Sequence, residues 1–89
     1  MKVAIVIPAY NEEKSIAKVL KEINEKHEVS IIVVDDCSSD ATSRVSTKNG
    51  AYVVTLKINS GYNVALHAGI NVAIEHGYTH CVTMDADGQ

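Results

Sequence analysis

The chain alternates short β-rich runs with longer segments of helical periodicity, and this alternation limits its fold more than any other feature. The runs consist mostly of Val, Ile and other apolar residues without clean apolar–polar alternation, which is typical of strands buried on both faces of a parallel sheet. The four runs are Val3–Ile7, Ser30–Asp35, Tyr52–Lys57 and His80–Met84. The order β-α-β-α-β-α-β predicts an α/β fold, in which a parallel β-sheet carries helices on both faces.

Two helices are predicted between the first three strands. The first spans Glu12–Lys26 and has apolar residues at positions i, i+3, i+4 and i+7. These residues are Ile16, Val19, Leu20 and Ile23. The second, Ala41–Lys48, is a weaker helix former because it is rich in Ser and Thr. We expect Ser39 or Asp40 to cap its start and Asn49-Gly50 to close its end.

A third helix is predicted before the last strand, from about Tyr62 to His76. Gly77 follows this segment and is expected to stop the helix, because glycine readily adopts the left-handed conformation of a C-terminal cap. The apolar stripe on the helix is expected to comprise Leu66, Ile70 and Ile74.

Size, charge and cysteine content exclude several classes of protein. With 89 residues the chain forms one small domain at most, and 8 Lys and Arg against 11 Asp and Glu give a net charge of −3. This mildly acidic balance argues against a general nucleic-acid binder, and no apolar run approaches the ~20 residues that span a bilayer. Val3–Ile7 is too short for a signal-peptide core. Cys37 and Cys81 lack CxxC spacing, so we expect no disulfide framework, no structural zinc site and a cytoplasmic location.

Ligands of parallel sheets bind beyond the carboxyl ends of the strands, so the loops at those ends are the first places to look for chemistry. In the first loop, Pro8 is expected to end the strand and Asn11 to cap the helix, which leaves Tyr10 exposed. Two interpretations of this loop are equally open. It is either a capped turn or a resting place for a nucleotide base beside Tyr10.

Two adjacent carboxylates, Asp35 and Asp36, follow the second buried strand. They repel each other and lose solvation, so they need hydrogen-bond donors or a cation. One interpretation is that a carboxylate faces an amide or imide N–H group of a ligand. The other is that both carboxylates accept hydrogen bonds from Ser hydroxyls and helix N–H groups of the chain itself.

The fourth loop carries a second carboxylate pair, Asp85 and Asp87, separated by one small residue. Both can approach one hard cation, and Gly88 permits a tight turn around it. One or two carboxylates together with substrate phosphates are a ligand set that suits Mg²⁺ or Mn²⁺. An EF-hand loop fits less well, because a strand rather than a helix is predicted before these residues. A DxD motif alone is weak evidence for a metal site, but the acidic pair after the second strand strengthens that evidence.

Together these loops resemble the N-terminal, nucleotide-sugar-binding half of GT-A-type glycosyltransferases of family 2, which include dolichyl- and polyprenyl-phosphate sugar transferases. The resemblance covers nearly the whole chain in the family's order. The matching stretches are Ile5–Glu13, Val33–Thr42, Asn59–Gly61, Ala65–Gly69 and Met84–Gln89. The resemblance implies a Rossmann-like half of a GT-A fold, and transfer of a sugar from a UDP or GDP conjugate with inversion at the anomeric carbon.

The resemblance also implies roles for individual residues. Asp36 would hydrogen-bond the base, because a carboxylate can accept an N–H from uracil or guanine. The implied nucleotide site comprises Pro8, Ala9, Tyr10, Glu12, Asp35, Asp36 and Asp85. The implied ligands of a Mg²⁺ or Mn²⁺ ion are Asp85, Asp87 and Gln89. This ion would neutralise charge on the nucleoside-diphosphate leaving group.

The chain departs from the family pattern in two respects. Where the family often has a Lys and a second Gly in the third loop and an Arg in the next helix, this chain has Tyr62, Asn63 and His67. His67 or Lys57 would have to supply the cationic support, although a surface histidine explains His67 more readily, and Tyr62 is a candidate aromatic lid. The family's acceptor-binding half and catalytic carboxylate come after the DxD motif, so we assign no catalytic residue.

We therefore expect residues 1–89 to be a single truncated donor-binding domain that is inactive alone. Its full-length parent would work at the cytoplasmic face of a membrane. In the expected strand order 3-2-1-4, His80–Met84 is an open edge, and we expect self-association through it.

Three other interpretations stay open. A receiver domain of two-component signalling matches poorly, because its acidic pair follows the first strand. A non-catalytic module that binds nucleotide or metal, or a folded fragment without activity of its own, is the principal alternative. A purely structural α/β domain would make the four carboxylates at strand ends a coincidence.

Overall fold

The computed structural model describes residues 2–87 and shows the predicted α/β fold. Four parallel strands form one sheet in the order β3-β2-β1-β4, which confirms the expected strand order. The elements are β1 (Val3–Ala9), α1 (Glu13–Lys26), β2 (Ser30–Asp35), α2 (Thr42–Lys48), β3 (Tyr52–Thr55), α3 (Tyr62–Glu75) and β4 (His80–Thr83). All seven predicted elements are present, and their ends differ from the predicted ones by no more than two residues.

Helices cover both faces of the sheet, as predicted. Successive side chains of β1 point to opposite faces, so Ile5 and Ile7 belong to the core that contains α1, while Ala4 and Val6 belong to the core that contains α3. The predicted stripe of α1 is confirmed, because all four of its residues are buried: Ile16, Val19, Leu20 and Ile23. Both cysteines in the described part of the chain are free.

The buried face of α3 differs from the predicted one. The prediction that Leu66, Ile70 and Ile74 form the buried stripe is wrong. Leu66 and Ile70 are only partly buried, and Ile74 is 63% exposed. The buried residues are instead small, namely Ala65, Gly69 and Ala73. The helix lies close to branched side chains of β1 and β2, which leaves room only for small residues at the contact.

The first strand continues to Ala9, so the prediction that Pro8 ends it is wrong. The carbonyl of Val6 accepts a hydrogen bond from the Met84 N–H at 3.1 Å, so the even-numbered residues of β1 turn their backbone polar groups toward β4. Pro8 lies beyond the last pair of β1 with β4. Its missing N–H therefore costs the sheet no hydrogen bond.

Other element ends follow from local pairing and backbone conformation. β3 stops at Thr55 rather than at the predicted Lys57, because Asp35 is its last partner on β2. Gly77 has a φ of +85° and ends α3 as predicted, and Asn49-Gly50 ends α2.

Candidate functional site

The loops after the strands meet at one edge of the sheet and enclose a pocket of about 260 Å³. Pro8, Ala9 and Tyr10 from the first loop line this pocket, together with Asp36 from the second. Residues of the third loop and α3 complete the lining: Asn59, Gly61, Tyr62 and Ala65. The structure thus brings together four residues that the sequence analysis assigned to a nucleotide site.

Asp36 is the buried charged group of this pocket, at 4% exposure. Its Oδ1 accepts a hydrogen bond from the Ser60 N–H at 2.7 Å, and its Oδ2 accepts one from the Gly61 N–H at 2.8 Å. Gly61 has a φ of +95°, which favours glycine at this position in the third loop. The two bonds offset the desolvation of the carboxylate, and each oxygen keeps a lone pair for a further donor.

Asp35 points to the opposite face of the sheet and does not line the pocket. Its Oδ1 accepts a hydrogen bond from the Ser38 N–H at 2.9 Å, and its Oδ2 accepts one from the Ser43 hydroxyl. Donors of the chain itself therefore satisfy Asp35, and its role here is to hold the second loop against α2.

Glu12 lies apart from the pocket, in a separate depression that it shares with Asp40. Its Oε2 accepts a hydrogen bond from the Ser15 hydroxyl at 2.6 Å, and its backbone N–H donates to the Thr42 hydroxyl at 2.9 Å. The structure does not bring Glu12 together with the pocket residues, because the chain changes direction between Tyr10 and Glu12, just before α1 begins.

Asn11 links the first loop to the second, so the prediction that it caps α1 is wrong. Its φ is +52°, its Oδ1 accepts the Ser39 N–H at 2.8 Å, and its own N–H donates to the Ser38 hydroxyl oxygen at 2.8 Å. Ser39 is engaged in this link and does not cap α2. Asp40 does accept the N–H of Thr42, the first residue of α2, at 2.9 Å.

Tyr62 joins the pocket to the fourth loop. Its hydroxyl donates a hydrogen bond to Asp85 Oδ1 at 3.4 Å. Burial, the negative charge of Asp85 and this hydrogen bond hold the pKa of Tyr62 above its ordinary value, because each disfavours the phenolate. The sequence indicates Tyr62 only as a candidate aromatic lid. Its contact with Asp85 depends on tertiary structure and carries no signal in the spacing of the two residues.

The two carboxylates of the fourth loop, Asp85 and Asp87, are exposed, while Ala86 between them is buried in the core. Gln89, the third predicted metal ligand, lies outside the described residues. Residues 2–87 contain no group of three or more His, Cys, Asp or Glu side chains that could hold a metal ion. Two carboxylates that share an ion with substrate phosphates are nevertheless a ligand set that suits Mg²⁺, so the donor chemistry fits such an ion.

A further depression of about 430 Å³ lies between α1 and the β4 edge. Its lining is mostly apolar and includes Val19, Val82 and Met84, but none of the predicted site residues. His67 and Lys57, which were considered as cationic support, are both exposed and do not line the pocket that contains Asp36.

The helices of the described residues 2–87 are short. The longest two have 14 residues each, and none is long and apolar enough to cross a membrane.

Comparisons with known proteins give the family of the chain. The family model described as "Glycosyl transferase family 2" matches residues 4–89. Uncharacterized protein MJ1222 of Methanocaldococcus jannaschii is 41% identical over 85 residues, which cover 96% of this chain and 35% of that protein. UDP-N-acetylglucosamine–dolichyl-phosphate N-acetylglucosaminyltransferase of Methanococcus voltae is 34% identical over 102 residues, which cover 96% of this chain and 41% of that protein.

A solved structure agrees with the fold. Glucosyl-3-phosphoglycerate synthase of Mycobacterium tuberculosis, in complex with Mn²⁺, UDP and glucosyl-3-phosphoglycerate, matches with a TM-score of 0.77 and 26% identity. The match covers 96% of this chain and 33% of the other. This chain thus spans between 33% and 41% of the length of the three proteins. The similarity excludes the receiver-domain interpretation and confirms the family that the loop motifs indicate: the chain belongs to glycosyl transferase family 2.

Proposed function

We propose that the pocket at Asp36 binds the nucleotide of a nucleoside-diphosphate sugar, as the donor site of an inverting glycosyltransferase. The observation that carries this proposal is the buried carboxylate of Asp36, which keeps free lone pairs at a pocket open to solvent beside Tyr10. Uracil and guanine each present a ring N–H from which this carboxylate can accept a hydrogen bond. The donor is therefore a UDP or GDP conjugate. The similar Mycobacterium tuberculosis synthase was solved with UDP, which supports the proposal.

The other residues of the pocket have simpler tasks in this proposal. Pro8 and Ala9 offer an apolar surface to the base, and the half-exposed ring of Tyr10 covers it. Asp35 acts indirectly, by holding the loop that follows Asp36. Glu12, which precedes α1 and lies outside this pocket, is proposed to contribute at the ribose side.

A divalent ion completes the proposed donor site. Asp85 and Asp87 would hold Mg²⁺ or Mn²⁺, with Gln89 as a further ligand. When bound, such an ion neutralises the negative charge that develops on the departing diphosphate. The Mycobacterium tuberculosis synthase was solved with Mn²⁺ beside UDP, which is consistent with this assignment.

We further propose that the acceptor is a polyprenyl phosphate, since the Methanococcus voltae relative is named for transfer to dolichyl phosphate. Because this chain spans 41% of that relative, the residues that bind and activate the acceptor are assigned to the rest of a longer protein. That protein would act at the cytoplasmic face of a membrane. Residues 1–89 alone would bind the donor without transferring its sugar.

The principal alternative is a module that binds nucleotide or metal without catalysis, or a fragment without activity of its own. One observation favours the fragment without activity: donors of the chain itself hold both Asp35 and Asp36, so the strand ends are stable without a ligand. In a transfer assay with UDP-sugar and dolichyl phosphate, sugar transfer by a longer chain that contains this segment would argue against the alternative.

Amide chemical-shift titrations with UDP, GDP and ADP, each with and without Mg²⁺, test the donor site directly. We expect shifts at Tyr10, Asp36 and Gly61 with UDP or GDP, and further shifts at Asp85 when Mg²⁺ is added. ADP is the matched control, because it carries the same diphosphate but adenine has no ring N–H at its hydrogen-bonding edge. Equal binding of ADP would refute recognition of a ring N–H by Asp36, and no shift with any nucleotide at millimolar concentration would refute the donor site.

We also propose that β4 pairs with the same strand of a second copy. All four of its residues are exposed, and within residues 2–87 it pairs only with β1. An uncovered edge offers unpaired backbone donors and acceptors to another chain.

A further inference from the structure

Tyr62 contributes to both parts of the proposed donor site. It is one of the residues that line the pocket with Tyr10 and Asp36, and its hydroxyl donates to Asp85 Oδ1 at 3.4 Å. Tyr62 therefore connects the pocket at Asp36, where the base is proposed to bind, with Asp85, the first carboxylate of the DxD motif.

The backbone of Tyr62 is anchored on both sides along the chain. Gly61, the residue before it, donates its N–H to Asp36 at 2.8 Å and accepts the Ala65 N–H at 3.1 Å. About two turns further along α3, Gly69 packs directly against branched side chains of the sheet. With the backbone held, the torsions of the Tyr62 side chain decide where its hydroxyl lies.

Asp85 is constrained less. It is exposed and follows an edge strand whose four residues are all exposed. The Met84 N–H, one residue earlier, still bonds to the Val6 carbonyl at 3.1 Å. An exposed carboxylate in this position can adopt several orientations. Binding of a cation that needs one of them therefore costs side-chain conformational entropy.

We propose that Tyr62 is a positioning residue that orients Asp85 for a divalent cation and thereby couples cation binding to occupation of the base pocket. The proposal rests on the proposed donor site. The hydroxyl engages one lone pair of Oδ1 and leaves Oδ2 available to the cation. A base against the Tyr62 ring restricts rotation of that ring and so strengthens its hold on Asp85. Because coupling between two binding sites is reciprocal, the cation also tightens binding of the base.

A nucleoside separates this coupling from direct chelation, because UDP and GDP bind Mg²⁺ through their own phosphates. Uridine and guanosine carry the base without a phosphate, so any effect of either on Mg²⁺ affinity has to pass through the protein. The experiment titrates Mg²⁺ while following the amide shifts of Asp85, with and without saturating nucleoside. It uses the unaltered chain, Tyr62→Phe and Tyr52→Phe. Tyr52 is an exposed tyrosine on β3 whose ring contacts His76, so it serves as the matched control.

In the unaltered chain we expect the nucleoside to tighten Mg²⁺ binding by about fivefold, the lower end of typical coupling between sites. Tyr62→Phe should abolish this effect while the nucleoside still binds, because the ring is kept and only the hydroxyl is lost. Tyr52→Phe should retain it. Undiminished coupling in Tyr62→Phe would overturn the proposal, as would independent binding of Mg²⁺ and nucleoside to the unaltered chain.

Failure of the donor site itself gives a different result. If UDP or GDP binds with Mg²⁺ but neither nucleoside shifts the pocket, the donor site stands and the coupling through Tyr62 is refuted. If no nucleotide or nucleoside binds, both proposals fall together.

Discussion

A Cβ atom added to Gly69 would lie 2.4 Å from Cγ1 of Val6, nearer than side-chain carbons can approach one another. It would also lie 2.9 Å from Cγ2 of Val34. The backbone of α3 thus rests directly on the branched side chains of β1 and β2. This close contact fixes the helix whose first residue, Tyr62, lines the pocket.

Gly69→Ala should therefore destabilise the fold by about 1–3 kcal/mol, the usual effect of overpacking a core. The steric effect should outweigh the ~1 kcal/mol by which alanine is the better helix former. Denaturant unfolding measures the change. Asn71→Ala, at an exposed position of the same helix, is the control and should be neutral or slightly stabilising. A Gly69→Ala protein as stable as the original would show that α3 is not held this closely.

Asp40 should contribute to the acid sensitivity of the fold. Burial pushes its pKa up, but hydrogen bonds from the Thr42 hydroxyl, the Thr42 N–H and the Glu13 N–H outweigh burial, and its pKa lies below the ordinary value. Stability from a lowered pKa is complete above the ordinary pKa of an aspartate and is lost as the pH falls through the lowered one. Asp40→Asn should thus be less stable than the unaltered chain at pH 7, and the difference should shrink toward pH 3.

Urea unfolding at several pH values measures this convergence. Glu25→Gln, at an exposed position of α1, is the control and should leave the pH dependence nearly unchanged. A stability difference for Asp40→Asn that stays constant from pH 7 to pH 3 would mean that the ionised carboxylate is not what stabilises the start of α2.

Sedimentation tests the proposed pairing of β4. Val82 is 50% exposed on this strand and lines the apolar depression beside α1. We expect concentration-dependent dimers of the unaltered chain, and monomers of Val82→Lys, because a charge on an edge strand opposes pairing. Val64→Lys, which changes a 52% exposed valine on α3, should still dimerise. Monomers of the unaltered chain at high concentration would contradict the proposal.

The sheet and helix order could be predicted because buried strands and amphipathic helices leave periodic patterns. The opposite directions of Asp35 and Asp36 follow from strand alternation, but the family resemblance implied that both belong to one nucleotide site. The buried face of α3 could not be predicted from hydropathy, which favours Ile74 over Gly69, whereas the approach of the helix to the sheet decides the outcome. The link from Asn11 to Ser39 depends on a left-handed backbone conformation and on a residue 28 positions away, and neither has a local signal.

Recognition of the base by Asp36 is tested most directly by a comparison of Asp36→Asn with Asp35→Asn. The two aspartates are adjacent, 4% and 3% exposed, and each is held by two donors of the chain, but only Asp36 lines the pocket. With folding of both variants verified by their amide spectra, calorimetry with UDP or GDP and Mg²⁺ gives the affinities. We expect Asp35→Asn to bind as the unaltered chain does, because its amide oxygen can still accept the Ser38 N–H and hold the loop. Asp36→Asn should bind at least about tenfold more weakly, the usual effect of losing a charged hydrogen bond. Unchanged binding by Asp36→Asn, or an equal loss in both variants, would contradict the account.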